Sequence, residues 1–177
     1  YGCGNRNLLG QGGLGIVGSR KISSNDLKFT HSLGVQTAKS GFTVVSGGAK
    51  GVDQVAMLSA LEADGTSVGV LADSLLRATT SQQYRPHLLS NNLLLMTPFY
   101  PEAVFNAGNA MLRNKYIYCL SDAAVVVHSG NPKTSKNGKG GGTWTGALEN
   151  LKKSWVPLWV KRSDDIKSGN EDIARAG

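Results

Sequence analysis

Three stretches of this chain combine glycines, hydroxyls and a cation: GSRKISS from Gly18, SGGAKGVD from Ser46, and HSGNPKTSKNGKGGGTW from His128. A site for phosphate oxygens needs that combination. Unblocked backbone N–H groups donate, a helix N-terminus adds a partial positive charge, and Arg or Lys supplies a full one. The candidate residues are Gly18, Ser19 and Arg20 in the first stretch, Ser46, Gly47, Gly48, Lys50 and Gly51 in the second, and Gly141, Gly142 and Thr143 in the third. Gly47 and Gly48 admit close backbone approach, Lys50 carries charge, and Asp53 is placed to cap the next helix. One such turn is ordinary turn chemistry. Three, each with a cation, point to a shared anionic ligand.

Other chemistries fit the sequence less well. Gly13, Gly15 and Gly18 spell the G-x-G-x-x-G pattern of dinucleotide folds, but that pattern requires its glycines in the turn after a strand. Here the strand-like residues Leu14, Ile16 and Val17 lie among the glycines, and no acid follows the second strand until Asp53. SGGAKGVD lacks the Gly-Lys-Ser/Thr ending of a P-loop, so ATP hydrolysis has no support. General acid–base chemistry needs a carboxylate or histidine at the site. The candidates Asp53, Asp73, Asp122, Glu149 and His128 form no recognisable pair, and the chain is expected to be non-catalytic. Cys3 and Cys119 have neither zinc-ligand spacing nor the density of a disulfide scaffold, and nothing calls for a metal or cofactor.

The elements that must position these turns read as follows. Apolar runs alternate with helical patterns: a strand at Ile16-Val17, a helix over 25–40, strand FTVV, a helix over 53–64, strands SVGVLA and LLLMTPF, a helix over 109–120, strand AAVVV, a helix in TWTGALENLKK, and strand VPLWV. In the first helix, Ser23 or Ser24 is available as N-cap, and Leu27, His31, Val35 and Ala38 share one face. Residues 1–13 read as loop, and 79–92 as a helix broken near Pro86. Strands that are apolar throughout, separated by helices, predict a doubly wound, mainly parallel, Rossmann-like α/β sheet in a single domain. The expected core spans 1–162, and 163–177 reads as a polar, frayed tail.

The chain has 177 residues, 40% of them hydrophobic, and a formal charge of +7, which suits one globular core with a polyanionic partner. No apolar run is long enough to span a bilayer, so no membrane association and a cytoplasmic location are expected. Lys133, Lys136, Lys139, Lys152 and Lys153 form a cluster that a mononucleotide would not need.

The series GIVGSR, GFTVVSGGAKGVDQVAMLSAL, GNAMLRNKYIYCLSDAAVVV and GGGTWTGALENLKK, in order from about Gly2 to Val160, resembles the core of the DprA/Smf DNA-processing proteins. The resemblance implies binding of single-stranded DNA in a basic pocket, a homodimer, and loading of the RecA recombinase during transformation of competent cells. Arg20 falls on the arginine of the family's G-S/T-R turn, Lys50 on the basic residue of its second turn, and Arg113, Asn114 and Lys115 on its R-N-[RK] motif. Arg20 and Arg113 suit a bidentate phosphate pairing, Lys50 and Lys115 are point charges, and Asn114 suits a phosphate or a base edge. Alternatively, Arg113 and Lys115 are the solvated side of a helix whose apolar face is Met111, Ile117, Tyr118 and Leu120. Phe105 and Tyr84 are candidates for base stacking or for the core.

Ala56-Met57 stands where many members of that family have Ala-His, and GNPKTSKNGKG reads as an inserted basic loop. The chain opens inside the resembled core and is expected to be part of a longer protein. A second resemblance is to the Lonely guy phosphoribohydrolases, whose P-G-G-x-G-T-x-x-E motif supplies a catalytic glutamate. Here the third residue beyond Thr143 is Gly146, and Glu149 lies a helical turn too far. A non-catalytic nucleotide sensor would use the same turns.

Overall fold

The computed structural model describes residues 1–135, 138, 140–163, 165 and 167–177. Its strands are β1 (Gly2–Gly4), β2 (Leu14–Gly18), β3 (Val44–Ser46), β4 (Ser67–Val70), β5 (Leu93–Met96), β6 (Ala123–His128) and β7 (Leu158–Val160). They form one sheet in the order β1-β5-β4-β3-β2-β6-β7, parallel except for the β1–β5 pair. The helices are α1 (Ser24–Lys39), α2 (Val52–Glu62), α3 (Leu75–Thr79), α4 (Arg85–Leu89), α5 (Ala107–Cys119), α6 (Gly141–Lys153) and α7 (Asn170–Ala176).

Neighbouring strand residues feed opposite cores, which is why the strands read as apolar throughout. Ile16, Val44, Leu95 and Val127 pack with Val52, Ala56, Met57 and Ala60 of α2 on one face. Val17, Val45, Leu94 and Val126 pack with Ile117 and Tyr118 of α5, Ala147 of α6 and Ile173 of α7 on the other. The doubly wound α/β expectation holds.

Several local expectations are corrected. The first residues are not all loop: β1 pairs antiparallel with β5, Cys3 opposite Leu95, and a 3-10 turn follows at Arg6–Gly10. The 79–92 stretch contains no single kinked helix. Helix α3 ends at Thr79, and Pro86 sits in the first turn of α4, where its missing N–H has no partner to lose. Ser23 is the N-cap of α1, in a reciprocal capping box with Asp26.

The buried face of α1 is not Leu27, His31, Val35 and Ala38 but Asp26, Thr30, Gly34 and Thr37. Leu27 and His31 are exposed. The cause is close packing on α2: a Cβ on Gly34 would overlap Ser59 and Ala56 of that helix. The threonine hydroxyls satisfy themselves on Asp26 O (2.7 Å) and Leu33 O (2.8 Å), leaving their methyls to pack. Asp26 accepts from Lys161 Nζ at 2.8 Å.

The expected tail carries α7, whose Ile173 is fully buried. Asn170 accepts from Ser129 N at 2.8 Å and donates to Val127 O (2.9 Å) and Lys161 O (2.8 Å), tying α7 to the end of β6. Among the described residues, no helix is long and apolar enough to cross a membrane.

Candidate nucleic-acid interface

In a doubly wound sheet the crevice for ligand lies beyond the carboxyl ends of the strands where strand order reverses. Here β2 is flanked by β3 on one side and β6 on the other, so that crevice falls between the ends of β2 and β6. The register slips at Val17/Gly18, and the turn after β2 is held against β6. Ser19 N donates to His128 O at 2.9 Å, and Ser19 Oγ lies 3.0 Å from His128 Nδ1. His128 Nε2 lies 3.7 Å from Asp165 Oδ2. Arg20 extends into solvent, its guanidinium 4.2 Å from the centroid of the Phe105 ring. Phe105 is itself 44% exposed, so an aromatic face and a cation meet at the rim.

The second turn locks into the first. Gly51 has φ +101°, and a Cβ there would overlap the Ser19 and Arg20 backbone. Val52 N donates to Ser19 O at 3.3 Å. Gly48 also has positive φ, and Lys50 is exposed. Ser46 does not present its hydroxyl to a ligand, because Oγ donates to Ile16 O at 2.6 Å in the core. Asp53 does not cap α2. Gly51 is the N-cap, without a side-chain cap bond, and Asp53 is buried in the first turn of that helix.

Facing Asp53 is Arg113. It lies neither on a solvated helix face nor in the open: it is 3% exposed, while Met111, expected on the apolar face, is exposed. Arg113 Nη1 donates to Val70 O at 2.8 Å and lies 3.8 Å from Asp53 Oδ2. Burial pushes the Asp53 carboxyl up, against the pull of Arg113, of the Gly18 and Ala49 backbone N–H groups and of Arg20. Burial likewise pushes the Arg113 guanidinium down, against Asp53 and Asp73. Tyr84 is a core residue, its phenol raised to about 12 by burial and by Asp53 and Asp73.

At the other side of the crevice, Asn114 of α5 donates through Nδ2 to Gly142 O at 2.9 Å. That bond fixes the start of α6, whose N-cap, Gly140, makes no side-chain cap bond. Among the described residues, no side chain caps the first-turn N–H groups of Gly141, Gly142 and Thr143. Lys115 is half-buried on α5, with Nζ 5.2 Å from the Tyr116 ring centroid.

Of the expected lysine cluster, Lys133 pairs with Asp172 at 3.2 Å, and Lys152 and Lys153 stand in the last turn of α6, about 17 Å along the helix from Gly141. Lys136 and Lys139 lie outside the described residues. The carboxylates considered for acid–base work have other partners: Asp122 accepts from Gly13 N at 2.8 Å, and Asp73 pairs with Arg77 at 3.5 Å. The fold thus brings the first two turns and Arg113 together around Asp53, Phe105 to Arg20, and Asn114 to Gly142. Sequence reasoning missed the Asp53–Arg113 pair, since sixty residues separate its members and neither type signals burial.

A parallel sheet wound on both sides, with glycine-rich turns at its carboxyl edge, defines a Rossmann-like domain. Residues 1–141 match the family DNA recombination-mediator protein A, and the chain belongs to that family. Protein Smf of Synechocystis sp. is 32% identical over 120 residues, 66% of this chain and 30% of the relative. DNA processing protein DprA of Bacillus subtilis is 28% identical over 130 residues, 72% of this chain and 43% of the relative. The chain spans less than half the length of either. The structure of DNA processing protein A from Helicobacter pylori, described for its unique single-stranded DNA binding mode, superposes with a TM-score of 0.79. It is 24% identical and the match covers 99% of this chain and 77% of that one, a likeness of fold.

Proposed function

We propose that this domain binds single-stranded DNA across the crevice between β2 and β6, without catalysing a reaction. The observation that carries this reading is the rim itself, where exposed Arg20 stacks on exposed Phe105 beside Lys50 and the interlocked glycine turns. Arg20 pairs a phosphate as a fork, and Lys50 and Lys115 act as point charges. The N–H groups of Gly141, Gly142 and Thr143 face a further phosphate at the start of α6. Phe105 offers a stacking surface that only an unpaired base reaches. The single-stranded DNA binding of the Helicobacter pylori relative supports the reading. This core acts in recombination or DNA uptake in the cytoplasm, as a homodimer, and hands its strand to a RecA recombinase.

The test is fluorescence anisotropy of a labelled oligothymidylate across a salt series, with unlabelled duplex and AMP as competitors. Affinity is expected to fall steeply with salt, with a slope of about 0.7 per phosphate contacted, and duplex to compete poorly. Competition by AMP at low concentration would replace the reading with a nucleotide sensor.

A further inference from the structure

We propose that the buried Asp53–Arg113 pair positions the Gly18–Arg20 and Gly47–Gly51 turns for phosphate, so that Arg113 acts from beneath the turns and does not touch the ligand. The proposal rests, for its DNA arm, on the function proposed above.

The geometry begins at Gly47. A Cβ there would overlap Arg113 Nη1 and Asp53 Oδ2, so the turn's backbone lies directly on the pair. The two side chains are 4% and 8% exposed, and Arg113 is anchored at its far side to Val70 O at the end of β4. From the same first turn of α2, Val52 blocks any side chain at Gly18, and Gly51 meets the Ser19–Arg20 backbone. Asp53 therefore stands where both turns converge, and the N–H groups of Gly18 and Ala49, one from each turn, stabilise its carboxylate. A residue lodged where two loops meet fixes their spacing. In a buried place it also needs a compensating charge, which Arg113 provides.

The pair is imperfect in a way that speaks for position over stability. Its closest approach is 3.8 Å, and Arg113 Nε is buried without a hydrogen-bond partner among the described residues. An apolar pair would be cheaper to bury. What an apolar pair lacks is a negative charge facing the two turn amides.

The experiment uses the whole chain as wild type, Asp53→Asn, Arg113→Met and the double variant. In ligand-free protein, the backbone amide NMR signals of Gly18 and Ala49 are expected to shift in Asp53→Asn, whereas that of Lys133 is not. Unmoved Gly18 and Ala49 signals overturn the proposal whatever DNA does. In anisotropy titrations with oligothymidylate, each single variant is expected to weaken binding about tenfold or more. The double variant, neutral and of similar volume, is expected to recover to within about threefold of wild type with the same salt slope. If Arg113 contacts a phosphate, Arg113→Met and the double variant are equally weak and the slope falls by about 0.7, which overturns the proposal. Where a single variant fails to fold, the slope of the folded double variant decides in the same way. A wild type that binds no strand sinks the proposed function and leaves the amide signals to judge the pair.

Discussion

The two sides of the crevice are built differently. On the β2–β3 side, two short turns interlock through glycines whose missing side chains let backbone meet backbone, and a buried charge pair sits beneath them. On the β6 side, a loop over 129–135 follows β6, and a Cβ on Gly130 would overlap Gly140 O. Side chains hold that loop from outside: Asn170 on Ser129, Asn131 Nδ2 on Ser168 O at 3.3 Å, and Lys133 on Asp172. The first side is rigid because little can move without a clash. The second is held by bonds that can each be removed singly. Their cations differ as well. Arg20 and Lys50 make no ion pair among the described residues, whereas Lys133 is already partnered by a carboxylate. A lysine in the sequence is therefore not always a charge available to a phosphate.

The comparison predicts a graded series. Gly47→Ala should do most damage, since the added methyl has no free space above the charge pair. A loss of about 1–3 kcal/mol in denaturant unfolding, with strand binding abolished, is expected. Retained stability would mean that the turn yields. Asn170→Ala comes next: it strips three hydrogen bonds, two of them buried, from the seam between β6 and α7 and should cost about 1–3 kcal/mol. Its salt slope for oligothymidylate should stay near wild type, because no cation at the crevice is removed.

Arg20→Ala and Phe105→Ala separate charge from stacking on the rigid side. The first should lower the salt slope by about 0.7. The second should weaken binding by about 1–3 kcal/mol per stacked base with the slope intact, both read by anisotropy. The smallest effect belongs to Lys133→Ala. An exposed ion pair contributes about 0–1 kcal/mol, and a lysine already held by Asp172 should change the salt slope less than Arg20 does. A larger slope change at Lys133 than at Arg20 would move the centre of binding to the β6 side.

Much of this was legible in the sequence. The period of the strands, the capping serine of α1, the glycine turns and their cations are local features, carried by neighbouring residues and written by backbone sterics and solvation. Glycine, hydroxyl and cation within a few positions state a preference for phosphate before any fold is known. Local pattern failed where tertiary contact outvoted it. Leu27 and His31 of α1 form the more hydrophobic stripe, yet Gly34 and two self-satisfied threonines allow closer approach to α2 and take the buried face. The segment 163–177 is polar in composition, but Asn170 finds three partners brought to it by β6 and β7.

Arg113 is the clearest case of the division. Sequence alone determined that this chain forms a doubly wound sheet with cation-bearing turns, because strand and helix periods and turn residues act over a few positions. That an arginine on α5 would lie under Gly47 beside Asp53, and not in solvent, was decided only when β4, α2 and α5 packed together. A charged side chain is buried where a partner and an acceptor await it, and those come from distant parts of the chain.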